Sequence, residues 1–134
     1  MISYEDFKKV EIKIGKIISA EKIPDTDKLL LLKVDFGTAT LIVSDTAQIT
    51  AETPLPNEEK KEGRDVRQII SGIAPHFPDP SSLVGIKCAF VTNLAPRIIR
   101  GYESYGMILA VGGGEFPFSL LKADESVKEG SAVK

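Results

Sequence analysis

The sequence predicts an all-β fold: a five-stranded Greek-key barrel with a short helical turn between its third and fourth strands and a C-terminal extension. Three observations point to it. Five apolar runs of strand length recur along the chain, bounded by turn residues. The first of them alternates, with Val10, Ile12 and Ile14 interleaved by Glu11 and Lys13, the period of a half-buried strand. The stretches suited to helix are each about one turn long.

In chain order, Ser3–Lys9 reads as a helical turn, with Ser3 as N-cap, Asp6 at the third position and Phe7 tucked inward. Residues 10–22 form one long first strand, and Gly15 within it marks a bulge or sharp bend. Ile23–Lys28 is a turn on composition. Leu29–Gly37 is the second strand: four consecutive leucines suit a helix, but Val34 and Phe36 in alternation and the closing Gly37 favour strand. Residues 38–66 read as an insertion. Within it Thr40–Ile49 is strand-like, and Thr53–Gly63, with two prolines and a run of charges, is a flexible solvated excursion. Arg67–Ile73 is the third strand, Ala74–Pro80 a proline-rich connector and Ser81–Gly85 a capped helical turn. Apolar runs at Cys88–Val91 and Met107–Val111 supply the fourth and fifth strands. A glycine turn at 112–114, the apolar segment Phe116–Leu121 and a turn-rich tail complete a single domain, 1–134. This order is that of an OB-fold, whose ligand face lies between the first-to-second and fourth-to-fifth loops, here residues 23–28 and 94–103.

Composition narrows the chemistry. Cys88 is the only cysteine, so an intramolecular disulfide and a cysteine-rich zinc site are excluded, and its apolar setting reads as a buried small hydrophobe. His76 is the only histidine and reads as a surface-loop residue, so no metal site is expected. No paired acid/base set or activated nucleophile stands out, so neither catalysis nor a cofactor is expected. No apolar segment approaches membrane-spanning length, and the first residues lack the basic start and apolar run of a signal peptide. The cytoplasm is therefore the expected location. A net charge of −2 argues against indiscriminate nucleic-acid binding, but the charge is uneven. Residues 36–63 carry two basic and five acidic groups, and residues 64–110 carry five basic and three acidic.

The basic part centres on Asn93–Met107. It sets Arg97 and Arg100 among Pro96, Gly101 and Gly106, with Asn93, Tyr102 and Ser104 close by. Arginine forks suit phosphate oxygens and stack on bases. Two readings stand: a phosphate-contacting loop, or a hairpin whose arginines only keep it soluble.

An ordered set of segments adds a resemblance. Phe7–Ile17, Pro24–Leu29, Lys33–Asp35, Arg67–Ile73, Leu83–Lys87, Asn93–Arg97, Arg100–Ser104 and Gly106–Met107 resemble, in the same order, the tRNA-binding OB domain found beside aminoacyl-tRNA synthetases. That family includes C-terminal domains of methionyl-tRNA synthetases, free-standing structure-specific tRNA-binding proteins and a synthetase-associated cytokine-like polypeptide. Each segment alone is weak, whereas the ordered set is specific and covers almost the whole chain outside 38–66.

The resemblance implies a non-catalytic module that binds tRNA by shape, with a synthetase as a further partner and a homodimer as its state. It places Lys28, Arg67, Ser71, Asn93, Arg97, Arg100, Ser104 and Met107 on the bound face. Lys28, Arg67, Arg97 and Arg100 would neutralise phosphates. Ser71, Asn93 and Ser104 would bond base edges or 2′-hydroxyls, and Met107 would offer an apolar contact. Each also has a structural alternative. Lys28 would pair with Asp25 or Asp27, Arg67 would pair across the barrel, Asn93 and Ser104 would cap loop backbone, and Met107 would be core. The chain departs from the family where Ala95 and Ile98 replace lysines, Tyr105 an acid and Ile23 a histidine. These losses of cation, with the apolar pair Ile98–Ile99, give the alternative of a dimeric protein- or peptide-binding, chaperone-like module. For a dimer the available apolar residues are Tyr4, Phe7, Phe116, Phe118, Leu120 and Leu121.

Overall fold

Strand β1 (Ile12–Lys22) is the spine of the barrel because it serves two partners in succession. In the computed structural model, which describes residues 1–38 and 64–134, its first half pairs antiparallel with β4 (Lys87–Val91), from Ile12 opposite Val91 to Lys16 opposite Lys87. Its second half pairs with β2 (Leu30–Thr38), from Lys16 opposite Asp35 to Lys22 opposite Leu30. The register slips between Ile17 and Ser19, a bulge. The bulge lies beyond Gly15. A Cβ at Gly15 would stand 2.5 Å from Val34 Cγ1 and 2.6 Å from Phe36 Cε1, so this glycine marks close approach of the strand to the core.

β2 continues onto β3 (Arg64–Ser71), with Leu30 opposite Ser71, and β4 onto β7 (Met107–Ile108). The sheet order is β3-β2-β1-β4-β7, an antiparallel sheet curled into a half-barrel, as the OB-like all-β reading requires. β3 begins at Arg64, three residues earlier than the sequence suggested, so Arg64–Val66 belong to the barrel. Arg64 there bonds Asp35 of β2, Nε to Oδ2 at 2.9 Å. Residues 39–63, and with them the extra strand expected within Thr40–Ile49 and the charged excursion after it, lie outside the described residues.

Alternation on β2 puts Leu30, Leu32, Val34 and Phe36 inward, joined by Ile17, Ile69, Cys88, Phe90 and Ile108. Phe36 meets Phe90 edge to face at 5.3 Å. Two 3-10 turns, Ala74–His76 and Pro80–Leu83, stand where one helical turn was expected, and Leu83 seals one end of the core. The cap of the second turn is Asp79, whose carboxylate accepts from the Ser81 hydroxyl and N–H. These bonds, the hydroxyl's first, hold its pKa below the ordinary value. Where β1 bulges, the Ile17 N–H donates to Ile86 O and Ile17 O accepts from Gly85 N–H, so the bulge docks this connection.

Helix α1 (Tyr4–Lys8) has the expected reciprocal cap between Ser3 and Asp6, but among the described residues nothing buries any of its side chains. Phe7 is 38% exposed rather than tucked inward. At the other end, β8 (Ala110–Gly113) and β9 (Phe116–Leu120) make a hairpin, and the tail returns to β1. Ile14 N–H donates to Ser131 O, Gly130 N–H to Ile14 O and Val133 N–H to Ile12 O. The tail thus occupies, beside the first half of β1, the place β2 holds beside the second. At the junction Gly37 and Gly130 interlock, both at positive φ. A Cβ on Gly37 would stand 2.5 Å from Glu129 O and one on Gly130 2.4 Å from Phe36 O.

Candidate nucleic-acid interface

The stretch Asn93–Met107 folds as a short antiparallel hairpin, β5 (Arg97–Ile99) and β6 (Tyr102–Ser104). Arg100 and Gly101 form its tip, both at positive φ (52° and 86°), the geometry of a two-residue primed turn. The hairpin leans on β3 across the gap between β3 and β7. Ile70 N–H donates to Ser104 Oγ (3.0 Å), Tyr105 N–H to Gln68 O (2.9 Å) and Gln68 Nε2 to Glu103 O (2.9 Å).

Three clefts follow one another along this contact. One of about 460 Å³ is lined by Lys33, Val66, Arg67, Gln68, Leu94 and Tyr105. Leu94 also lines the next, with Ala95, Arg97, Ile99 and Met107 among its walls. Ile99 also lines the third, of about 380 Å³, between Arg100 of the hairpin and Thr26–Leu29 of the first loop. Shared walls make the three one tract from β2–β3 to the tip. Lys28 and Arg100 therefore meet in one cleft although 72 positions separate them in sequence. Lys28, Lys33, Arg97 and Arg100 are all exposed, and among the described residues none has an ion-pair partner. Asp27 lines the third cleft beside Lys28 and Arg100 without pairing with either, and exposed cations outside ion pairs along a groove are the electrostatic form of a phosphate-tracking site.

The other residues marked in the sequence are placed differently. Arg67 projects inward opposite Val34 and is held by its neighbourhood. Its guanidinium makes a bidentate pair with Asp65 on its own strand (3.1 and 3.0 Å), donates to Thr92 O (2.7 Å) and Tyr105 O (3.3 Å), and lies over the Phe36 ring. Its pair runs along the strand, not across the barrel, and Asp65 neutralises its charge. Asn93 ties the start of the chain to the hairpin: Oδ1 accepts from Glu11 N–H (2.9 Å) and Nδ2 donates to Lys9 O (2.7 Å). Ser104 is buried, and its hydroxyl accepts from Ile70 N–H and donates to Gly106 O. Ser71 ends β3 opposite Leu30, outside the lining of the three clefts. Met107 is 47% exposed on the tract.

Lys33, Gln68, Leu94 and Tyr105 also line the tract but were not marked in the sequence. Two were within reach. With Leu32 and Val34 inward, Lys33 must point outward, and pairing sets Gln68 opposite it. The Tyr105 hydroxyl donates to Glu103 Oε1 (2.5 Å); this bond, with partial burial and the carboxylate's charge, pushes the phenol pKa above its ordinary value.

Comparison with known proteins gives a family match and several relatives. Residues 12–60 and 57–132 match a family described as "Putative tRNA binding domain". The chain is 42% identical over 134 residues to a methionine–tRNA ligase of Methanoregula boonei, and 37% identical over 133 residues to one of Flavobacterium johnsoniae. These matches take in 100% and 99% of this chain but only 16% and 15% of the ligases. Among solved structures, a MetRS related protein from Pyrococcus horikoshii superposes with a TM-score of 0.75 at 30% identity, covering 100% of this chain and 98% of that one. The chaperone CsaA of Bacillus anthracis shares the fold, with a TM-score of 0.70 at 21% identity over 100% and 99% of the two chains.

Proposed function

The chain belongs to the tRNA-binding domain family, and from that premise we propose that it is a non-catalytic module, free-standing or associated with a synthetase, that binds tRNA by shape. The observation that carries this reading is the convergence of Lys28, Lys33, Arg97 and Arg100, without described acidic partners, on one tract bordered by apolar side chains. In this reading the four cations contact phosphates. Arg67, Asn93 and Ser104 act one step behind them, holding β3, the hairpin and the first residues of the chain in register. Ser71 and Met107 remain proposed contacts at its margin. Among the described residues no helix is long and apolar enough to cross a membrane, and tRNA as ligand makes the cytoplasm the proposed place of action. A second copy of the chain is the proposed partner of the exposed Tyr4, Phe7, Phe116 and Leu121.

The test is a salt titration of tRNA binding, wild type beside Arg97→Ala/Arg100→Asn. Asparagine at 100 tolerates the positive φ. Binding should appear at low salt, weaken in the variant, and lose up to about two units of salt slope, one per phosphate contact removed. An unchanged slope would remove the hairpin from the interface. A second reading is favoured by Ile98, 70% exposed on β5, with Leu94 and Met107 also exposed: an apolar peptide docking on the hairpin. Peptide capture with no tRNA binding at any salt would establish it.

A further inference from the structure

We propose that the cleft between β3 and the hairpin is a nucleobase site, in which Tyr105 stacks on one unpaired base of the bound RNA, Gln68 accepts a hydrogen bond from that base's edge, and Lys33 meets its phosphate. This rests on the RNA-binding reading and adds what the cations alone do not give, a place for a base taken out of a helix. Four observations carry it. The cleft, about 460 Å³, combines apolar walls, Val66 and Leu94, with an aromatic ring at 37% exposure. The hydroxyl of that ring is anchored on Glu103, which leaves the ring less free to turn. Gln68 donates through Nε2 to Glu103 O, a bond that fixes its amide orientation; Oε1 has no partner among the described residues and offers an acceptor only. Lys33 stands directly opposite Gln68 in the β2–β3 register, which sets a cation beside the amide. Stacking face, acceptor and cation are the three elements by which single-stranded RNA is held.

The site can be tested without disturbing the barrel, because Tyr105 supports the fold through its backbone. Its N–H donates to Gln68 O and its carbonyl accepts from Arg67 Nη1, and both bonds survive any side chain at this position. In the first arm, hexaadenylate is titrated into the full chain and the Tyr105 ring protons are followed by NMR, with a duplex RNA of equal charge as control. Stacking moves the ring signals upfield with the single strand and not with the duplex. In the second arm, tRNA affinity is measured for Tyr105→Leu and Tyr105→Phe across salt. Loss of one stack weakens Tyr105→Leu about 5- to 100-fold with the salt slope unchanged, while Tyr105→Phe stays within a few-fold of wild type. If Tyr105→Leu binds tRNA as wild type does while Arg97→Ala/Arg100→Asn is impaired, the nucleobase site is wrong and the tRNA reading stands. If wild type binds no tRNA and an apolar peptide moves the Tyr105 ring instead, both fall and the cleft is a protein-docking site.

Discussion

Cys88 shows how one atom group reports the state of the core. It is fully buried, and desolvation pushes its thiol from an ordinary value of 9.0 to about 11, against a small opposing pull from Lys122. Between about pH 9 and pH 11 the unfolded chain releases a proton that the folded chain keeps. Stability contributed by the neutral thiol is therefore complete below the unfolded pKa and is lost as pH rises toward the folded one. Two pKa units correspond to about 3 kcal/mol. Urea unfolding at pH 8 and pH 11, where the folded thiol is half ionised, should show wild type losing about 2 kcal/mol more than Cys88→Ala, which loses only the terms both proteins share. An equal loss would mean that the thiol titrates normally and that water reaches this part of the core. Arg67 makes the same point from the charged side: its cationic charge, conspicuous in the sequence, is answered by Asp65 two positions away.

At the scale of elements, β1 depends on what Gly15 lacks. Alanine there would drive Cβ into Val34 and Phe36, and overpacking of this kind costs about 1–3 kcal/mol. Gly72, just past β3, has open space around its Cβ position and no positive φ. Gly72→Ala should stabilise by about 0.4–1 kcal/mol through the unfolded chain. Paired denaturation curves test the contrast in sign, and two destabilising outcomes would refute it. The strands of the curled sheet were legible in the sequence because each is an apolar run or an alternation bounded by turns; β5 and β6 were read as loop, and the expected fifth strand, Met107–Val111, is divided between β7 and β8. The start of β3 was not, since Arg64–Val66 are mostly polar and read as part of the charged insertion. The framework roles of Asn93 and Ser104 were hidden for another reason: their partners, Glu11 and Ile70, lie 82 and 34 positions away. The meeting of Lys28 and Arg100 was legible in outline, because the OB order alone sets those two loops side by side.

For the whole molecule, the apolar residues named for a dimer divide into two kinds. Leu120 is buried and Phe118 packs against the core and stacks on His76 at 3.9 Å, so these two serve the chain's own fold. Tyr4, Phe7, Phe116 and Leu121 stay exposed. If a second copy covers them, sedimentation equilibrium gives twice the 14.5 kDa of the chain. Tyr4→Glu/Phe116→Glu should then sediment as a folded monomer. A wild type that stays at the monomer mass throughout the micromolar range would discard the dimer.

The tail that takes over from β2 at the Gly37–Gly130 contact has a consequence for association. With β4 on one flank and residues 130–133 on the other, the first half of β1 offers no open edge. An extended segment of another chain cannot extend the sheet there, and this half of β1 cannot template edge-to-edge aggregation. A chain cut before Glu129 would uncover the first half of β1 and present a ready slot for strand exchange between copies.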